Sequence, residues 1–167
     1  MSMTKDDLLE GKKVLIVDDE PDVLETLQAL LSMCRITKAS GFEEARKLLE
    51  QEDFDIAILD IMGVDGYGLL DLANRRKILA VMLTAHALSP EETVKSYKGG
   101  AAYYVPKDKM GDIILFLHDV LEAKETGKST WGRWLGRFNV YYEKVFGPDW
   151  KNHDREFWKK FLKHYTY

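Results

Sequence analysis

The 167-residue chain has one cysteine, Cys34, and only four prolines, and nowhere does an apolar run approach the roughly 20 residues that span a bilayer. A lone cysteine excludes an internal disulfide and a thiolate metal cluster, which leaves Cys34 as a small apolar residue of the interior. No membrane span is expected. The opening residues, MSMTKDDLLEGKK, carry acids and lack an apolar segment, so they do not read as a secretory signal, and a cytoplasmic protein is the expectation. Histidines are few, and His118, His153 and His164 show no metal-ligand grouping.

What is present is an ordinary globular composition, 46% hydrophobic and 31% charged, on a chain long enough for one core plus an appendage. The net charge of -4 is unevenly spread. From Thr126 onward nine lysines and arginines face four acids, a balance of +5 that leaves -9 for residues 1–125. All four tryptophans also lie beyond Thr126. A boundary near KETGKST follows, dividing the chain into an N-terminal segment (1–11), a main domain (12–125) and an aromatic, basic extension (126–167).

Four apolar runs, KVLIV (13–17), FDIAIL (54–59), ILAVML (78–83) and AAYYV (101–105), lack polar alternation and suit parallel strands covered on both faces. CRITKA (34–39) is a weaker fifth. Amphipathic patterns separate them, such as Val23, Leu24, Leu27, Leu30 and Leu31 at helical spacing. Before another helix, Ser89 is placed to cap, with Pro90 at the first helical position and Glu92 three residues past the cap. This alternation predicts an α/β fold, a doubly wound five-stranded parallel sheet, with a C-terminal helical extension.

In such sheets ligands bind outside the carboxyl ends of the strands. The first strand exits into Asp18-Asp19-Glu20, the third into Asp60 and a flexible loop with Gly63, Gly66 and Gly68, the fourth into Thr84, and the fifth, after Tyr104, into Lys107. Carboxylates gathered at one place raise each other's pKa, so a divalent cation is implied, and all-oxygen ligands favour Mg²⁺. Acids, a hydroxyl and an ammonium are the equipment for phosphoryl transfer, with Asp60 as the candidate nucleophile. Taken alone, Asp18 and Asp19 also fit a helix N-cap and Lys107 a solvated lysine; their joint placement at strand exits argues against that.

VLIVDDEPDV, AILDIM, VMLTAHA and GAAYYVPKDK together resemble the receiver domains of bacterial two-component response regulators, over about residues 12–125. That resemblance implies a flavodoxin-like strand order 2-1-3-4-5. It implies that Asp60 accepts a phosphoryl group from a histidine kinase or phosphotransfer protein, and that Asp18, Asp19, Asp60 and the backbone carbonyl of Met62 hold Mg²⁺. Lys107 contacts the phosphoryl oxygens, Thr84 moves to hydrogen-bond them, Tyr104 is the aromatic switch, and His86 stands where the family tunes phosphate lifetime. The chain departs from the family's usual pattern in the short MGVDG after Asp60 and in Asp108, which follows Lys107 where a proline is common. The reading is a stand-alone phosphorelay switch that signals through protein contact and is not a turnover enzyme. The alternatives are an Mg²⁺-dependent phosphohydrolase using Asp60, which lacks a clear general acid, and a binding module independent of phosphorylation.

GKST at 127–130 is not a phosphate-binding P-loop, because Glu122 stands where the motif needs glycine and a helical pattern precedes it. In the extension, Trp131, Trp134, Leu135, Phe138, Tyr142, Val145 and Phe146 share one helical face, GPDW breaks the chain, and Trp158, Phe161, Leu162 and Tyr165 form a second stripe. A helical hairpin of this size must cover something: the main domain, a second copy in a homodimer, or a partner protein. Nucleic acid is not expected, since the basic residues are scattered and no helix-turn-helix pattern is visible.

Overall fold

The computed structural model describes residues 8–85 and 89–165, which leaves His86 outside them. Five strands, β1 (Lys13–Val17), β2 (Arg35–Ala39), β3 (Ile56–Asp60), β4 (Leu79–Thr84) and β5 (Tyr103–Pro106), form one parallel sheet in the order β2-β1-β3-β4-β5. The expected fold is therefore the observed one. β3 is buried along its whole length, as a central parallel strand covered by helices on both faces must be. β2 is an edge strand, with Arg35 and Lys38 exposed, which explains its mixed sequence signal. The fifth strand begins two residues later than the apolar run AAYYV suggests and runs through Pro106.

Around the sheet lie α1 (Pro21–Leu30), α2 (Phe42–Gln51), α3 (Gly66–Arg75), α4 (Pro90–Lys98) and α5 (Ile113–Thr126), the last preceded by a 3₁₀ turn, Lys107–Asp112. Each turns its apolar side to the sheet; Val23, Leu24 and Leu27 of α1 are buried. At α4, Pro90 opens the helix as expected, but the Ser89 side chain makes no capping bond, and the turn closes by Glu92 N–H donating to the Ser89 carbonyl at 3.0 Å.

α5 ends at Gly127, whose φ of 69° is the left-handed conformation a side chain disfavours, and Lys128 N–H closes back on the Ala123 carbonyl at 2.8 Å. The boundary in KETGKST is thus a tight reversal. It aims α6 (Trp131–Phe146) back across the main domain, and a 3₁₀ turn (Trp150–Asp154) leads into α7 (Arg155–Tyr165).

The extension packs on the main domain, so of the three partners open to the hairpin the intramolecular one is found. Trp131, Trp134, Phe138, Tyr142, Trp150, Trp158 and Phe161 are all buried. Tyr97 of α4 is ringed by Trp131, Phe157 and Phe161 at centroid distances of 5.2, 5.5 and 5.3 Å. The indole N–H groups of Trp131 and Trp134 donate to the carbonyls of Ala101 and Tyr104, each at 2.9 Å, so the large rings bury without orphaning their polar atoms. Asp119 of α5, almost fully buried, pairs with Arg137 at 2.6 Å and Arg133 at 3.4 Å on α6. One expectation fails here: Val145 is 45% exposed and lies off the buried stripe. Burial of the aromatic face within the chain also takes up the surface that a homodimer through that face requires.

Candidate functional site

Strand register builds the site. Val17 pairs with Leu59, Asp60 with Leu83 and Thr84 with Pro106, so the carboxyl ends of β1, β3, β4 and β5 finish level. Asp18 is one residue past its strand end, Asp60 and Thr84 close theirs, and Lys107 follows Pro106. Residues from four separate segments therefore meet at one sheet edge.

Asp18 is fully buried and Asp60 only 4% exposed, while Asp19 stands exposed beside them. A carboxylate oxygen from each lies within 4.8 Å of the others, forming a triad with room for a cation. The Lys107 ammonium lies 2.9 Å from Asp18 Oδ2, 3.4 Å from Asp60 Oδ1 and 3.5 Å from Glu20. Glu20 belongs to the predicted acidic exit, but nothing in its spacing marks it as a partner of the lysine. Thr84 is buried and donates its hydroxyl to the Ala85 carbonyl at 3.2 Å.

Burial and the neighbouring Asp18 charge push the Asp60 carboxyl up to about 6. Asp18 is raised by burial as well, against the Glu20 N–H that donates to its Oδ1 at 2.9 Å. Burial alone would lower the lysine, but its ion pair with Asp18 holds Lys107 above its ordinary value. One ammonium thus fails to balance the carboxylates facing it. The N-cap reading of Asp18 does not hold, because Glu20 occupies that position on α1 and no side chain caps the helix.

The donor set fits Mg²⁺. Asp18 Oδ2 is buried, and its contact with Lys107 lacks hydrogen-bond geometry, which leaves lone pairs available to a cation. Gly63 sits so close to the Asp19 carboxylate that a Cβ there would overlap it. Gly66 likewise backs directly on the Asp60 carbonyl. The short MGVDG loop therefore closes tightly over the acids, and its glycines serve close approach where a flexible loop was expected. Asp65, at φ 52°, caps α3 by accepting from Gly68 N–H at 3.3 Å. The Met62 side chain is exposed, and its carbonyl, the fourth expected ligand, accepts from Asp65 N–H at 3.3 Å in that turn.

Tyr104 is 1% exposed, lying between Thr84, Thr93 and Tyr142, and its hydroxyl makes no well-aligned hydrogen bond to any of them. Burial pushes it up to about 12. Two residues of α6 reach this edge: Tyr142, which sequence reasoning placed only on an apolar stripe, and Tyr141, which it did not single out. Tyr141 donates its hydroxyl to both oxygens of Asp108 at 2.9 Å, and the Tyr142 and Thr93 hydroxyls share a bond of 2.6 Å. No local pattern could reveal either contact, since the partners lie 33 and 49 residues apart.

Residues 14–117 match the family model described as the response regulator receiver domain. The heme response regulator HssR of Staphylococcus aureus is 42% identical over 100 residues, covering 56% of this chain and 43% of the relative. The response regulator protein PilR of Pseudomonas aeruginosa is 35% identical over 106 residues, covering 59% of this chain and 23% of the relative. The chain thus spans less than half the length of either. A CheY-like receiver domain from Methanospirillum hungatei superposes with a TM-score of 0.64 at 26% identity, over 71% of this chain and 99% of that one. The response regulator DrrB of Thermotoga maritima gives 0.59 at 25% identity, over 71% of this chain and 55% of its own.

Proposed function

Since the chain belongs to the response regulator receiver domain family, whose members are phosphoacceptor switches of two-component signalling, we propose that Asp60 is its phosphoacceptor and that Mg²⁺ supports the transfer. The observation that carries the reading is the meeting of Asp18, Asp60 and Lys107 at the sheet edge, with the ammonium 2.9 and 3.4 Å from the two buried carboxylates. The donor is the phosphohistidine of a histidine kinase or phosphotransfer protein, acting in the cytoplasm. An oxygen of Asp60 attacks phosphorus, the O–P bond forms as the P–N bond breaks, and the departing imidazole nitrogen keeps the electron pair and takes a proton from water.

Asp18, Asp19, Asp60 and the Met62 carbonyl would hold the Mg²⁺, which would supply charge neutralisation for the phosphoryl oxygens. Lys107, already poised between Asp18 and Asp60, shifts its ammonium to the incoming phosphoryl group, and the Thr84 hydroxyl leaves Ala85 to bond one of its oxygens. Tyr104 reports the change to the surface, and signalling proceeds through protein contact. The protein incubated with Mg²⁺ and acetyl phosphate gains one phosphoryl group by intact mass, and an Asp60→Asn variant does not. Equal gain by both proteins contradicts the assignment.

A further inference from the structure

The main domain and the extension meet at the very residues that frame the phosphorylation site. α6 grips β5, the turn beyond it and α4 at one point each. The Trp134 indole N–H donates to the Tyr104 carbonyl at 2.9 Å, the Tyr141 hydroxyl donates to the Asp108 carboxylate, and the Tyr142 hydroxyl bonds Thr93 on α4 at 2.6 Å. Asp108 adjoins Lys107, whose ammonium touches Asp18 and Asp60. A small gap also separates Thr84, Tyr104 and Pro106 on one side from Tyr141, Tyr142 and Phe146 on the other. A void beside a buried, unbonded tyrosine hydroxyl is space into which side chains can shift without breaking packing elsewhere.

We infer that the extension is this chain's own reader of the Asp60 site: its Tyr141–Asp108 and Tyr142–Thr93 contacts hold α6 docked while Asp60 is unmodified, and phosphorylation loosens them. The inference rests on the assignment of Asp60 as phosphoacceptor. Physically, a phosphoryl group on Asp60 draws the Lys107 ammonium away from Asp18 and Glu20. The Lys107–Asp108 segment moves with it, and the bond from Tyr141 to Asp108 bears that movement. Withdrawal of the Thr84 hydroxyl from Ala85 opens the gap on its other wall, beside Tyr142. Each contact differs between the two states of the site, which is the differential interaction that a coupled change requires. Reciprocity follows: whatever loosens the extension also alters the stability of the phosphorylated state.

The reading distinguishes this surface from ordinary core. Trp131, Trp158 and Phe161 supply docking energy but lie away from the sheet edge, against Tyr97 and one another. Tyr142, buried, and Tyr141, half-buried, direct their hydroxyls at Thr93 and at Asp108, the residue adjoining Lys107. Their hydroxyls should therefore matter for communication while their rings carry the packing.

The test follows intact mass and amide hydrogen exchange together on the full chain, with Mg²⁺ and acetyl phosphate. Exchange across Trp131–Phe146 should accelerate about tenfold on phosphorylation, a typical scale of coupling between sites. A Tyr141→Phe, Tyr142→Phe double variant keeps both rings and should be phosphorylated at least to the wild-type extent, with the acceleration reduced to less than about threefold. Phosphoryl gain with unchanged or slower exchange in the wild-type α6 overturns the inference alone, as does an undiminished response in the double variant. Absence of phosphoryl gain in every protein overturns the assignment of Asp60 and the inference with it.

Discussion

The strand-exit edge and the face covered by the extension solve opposite problems with residues only a few positions apart. At the edge, Asp18 and Asp60 are buried with more negative charge than Lys107 balances, and stability is given up to create a site. Across α4 and β5, seven buried aromatic rings of the extension are packed, the indole N–H groups of Trp131 and Trp134 bonded and that of Trp158 buried without a partner, and packing gains stability. β5 belongs to both: its carboxyl end delivers Lys107 and its Tyr104 carbonyl receives Trp134, while Trp131 bonds the Ala101 carbonyl just ahead of the strand. One region carries unbalanced charge, and the other is held beside it by packing.

The largest break in this contrast is expected from Trp134→Ala, which empties a fully buried ring site and removes the bond to the Tyr104 carbonyl. A loss of about 3–5 kcal/mol in urea unfolding is expected. Next is Asp60→Asn in chelator-treated, metal-free buffer, which should stabilise the protein by about 1–2 kcal/mol at pH 7. The sign follows from the folded carboxyl lying above its ordinary value. Asp60 favours the folded state while protonated, and that contribution fades as pH rises from 3.8 through about 6. The gap between wild type and variant should therefore widen over that interval and then level off, as read by melting temperature against pH. Mg²⁺ should raise the wild-type melting temperature and the variant's much less.

A subtler test is Gly63→Ala. The new methyl overlaps the Asp19 carboxylate, an exposed side chain that can swing aside, so the fold should survive while Mg²⁺ affinity falls about tenfold by titration calorimetry. The smallest effect belongs to Val145→Ser. Sequence spacing puts Val145 on the aromatic stripe, but the structure leaves it 45% exposed, and the change should stay within about 0.5 kcal/mol.

Much of the edge was legible in the sequence because parallel strands of uniform apolar character end where chemistry begins. Asp18, Asp60, Thr84 and Lys107 each follow or close such a run, and parallel register brings strand ends level without any further instruction. The extension was legible only as a face in need of a cover. Helical spacing shows that Trp131, Trp134 and Phe138 turn one way, yet what lies opposite depends on the reversal at Gly127, whose direction no periodicity encodes. Val145 was misplaced for a related reason. A stripe's length is set by how far the partner surface reaches, and here α6 overruns it. Gly63 and Gly66 were read as loop freedom, because sequence cannot distinguish a glycine needed for motion from one needed for close approach. Glu20 and Tyr141 gave no signal as site neighbours, since their partners are fixed by tertiary contact.

The central claim concerns one carboxylate among several neighbours, so the measurement must locate the bond. Protein treated with Mg²⁺ and acetyl phosphate, then reduced with borohydride, carries homoserine wherever an aspartyl phosphate had formed. Peptide mass mapping should place homoserine at position 60 and at neither position 18 nor 19. Homoserine at Asp18 or Asp19, or none at all under conditions where intact mass shows a phosphoryl group, would contradict the account.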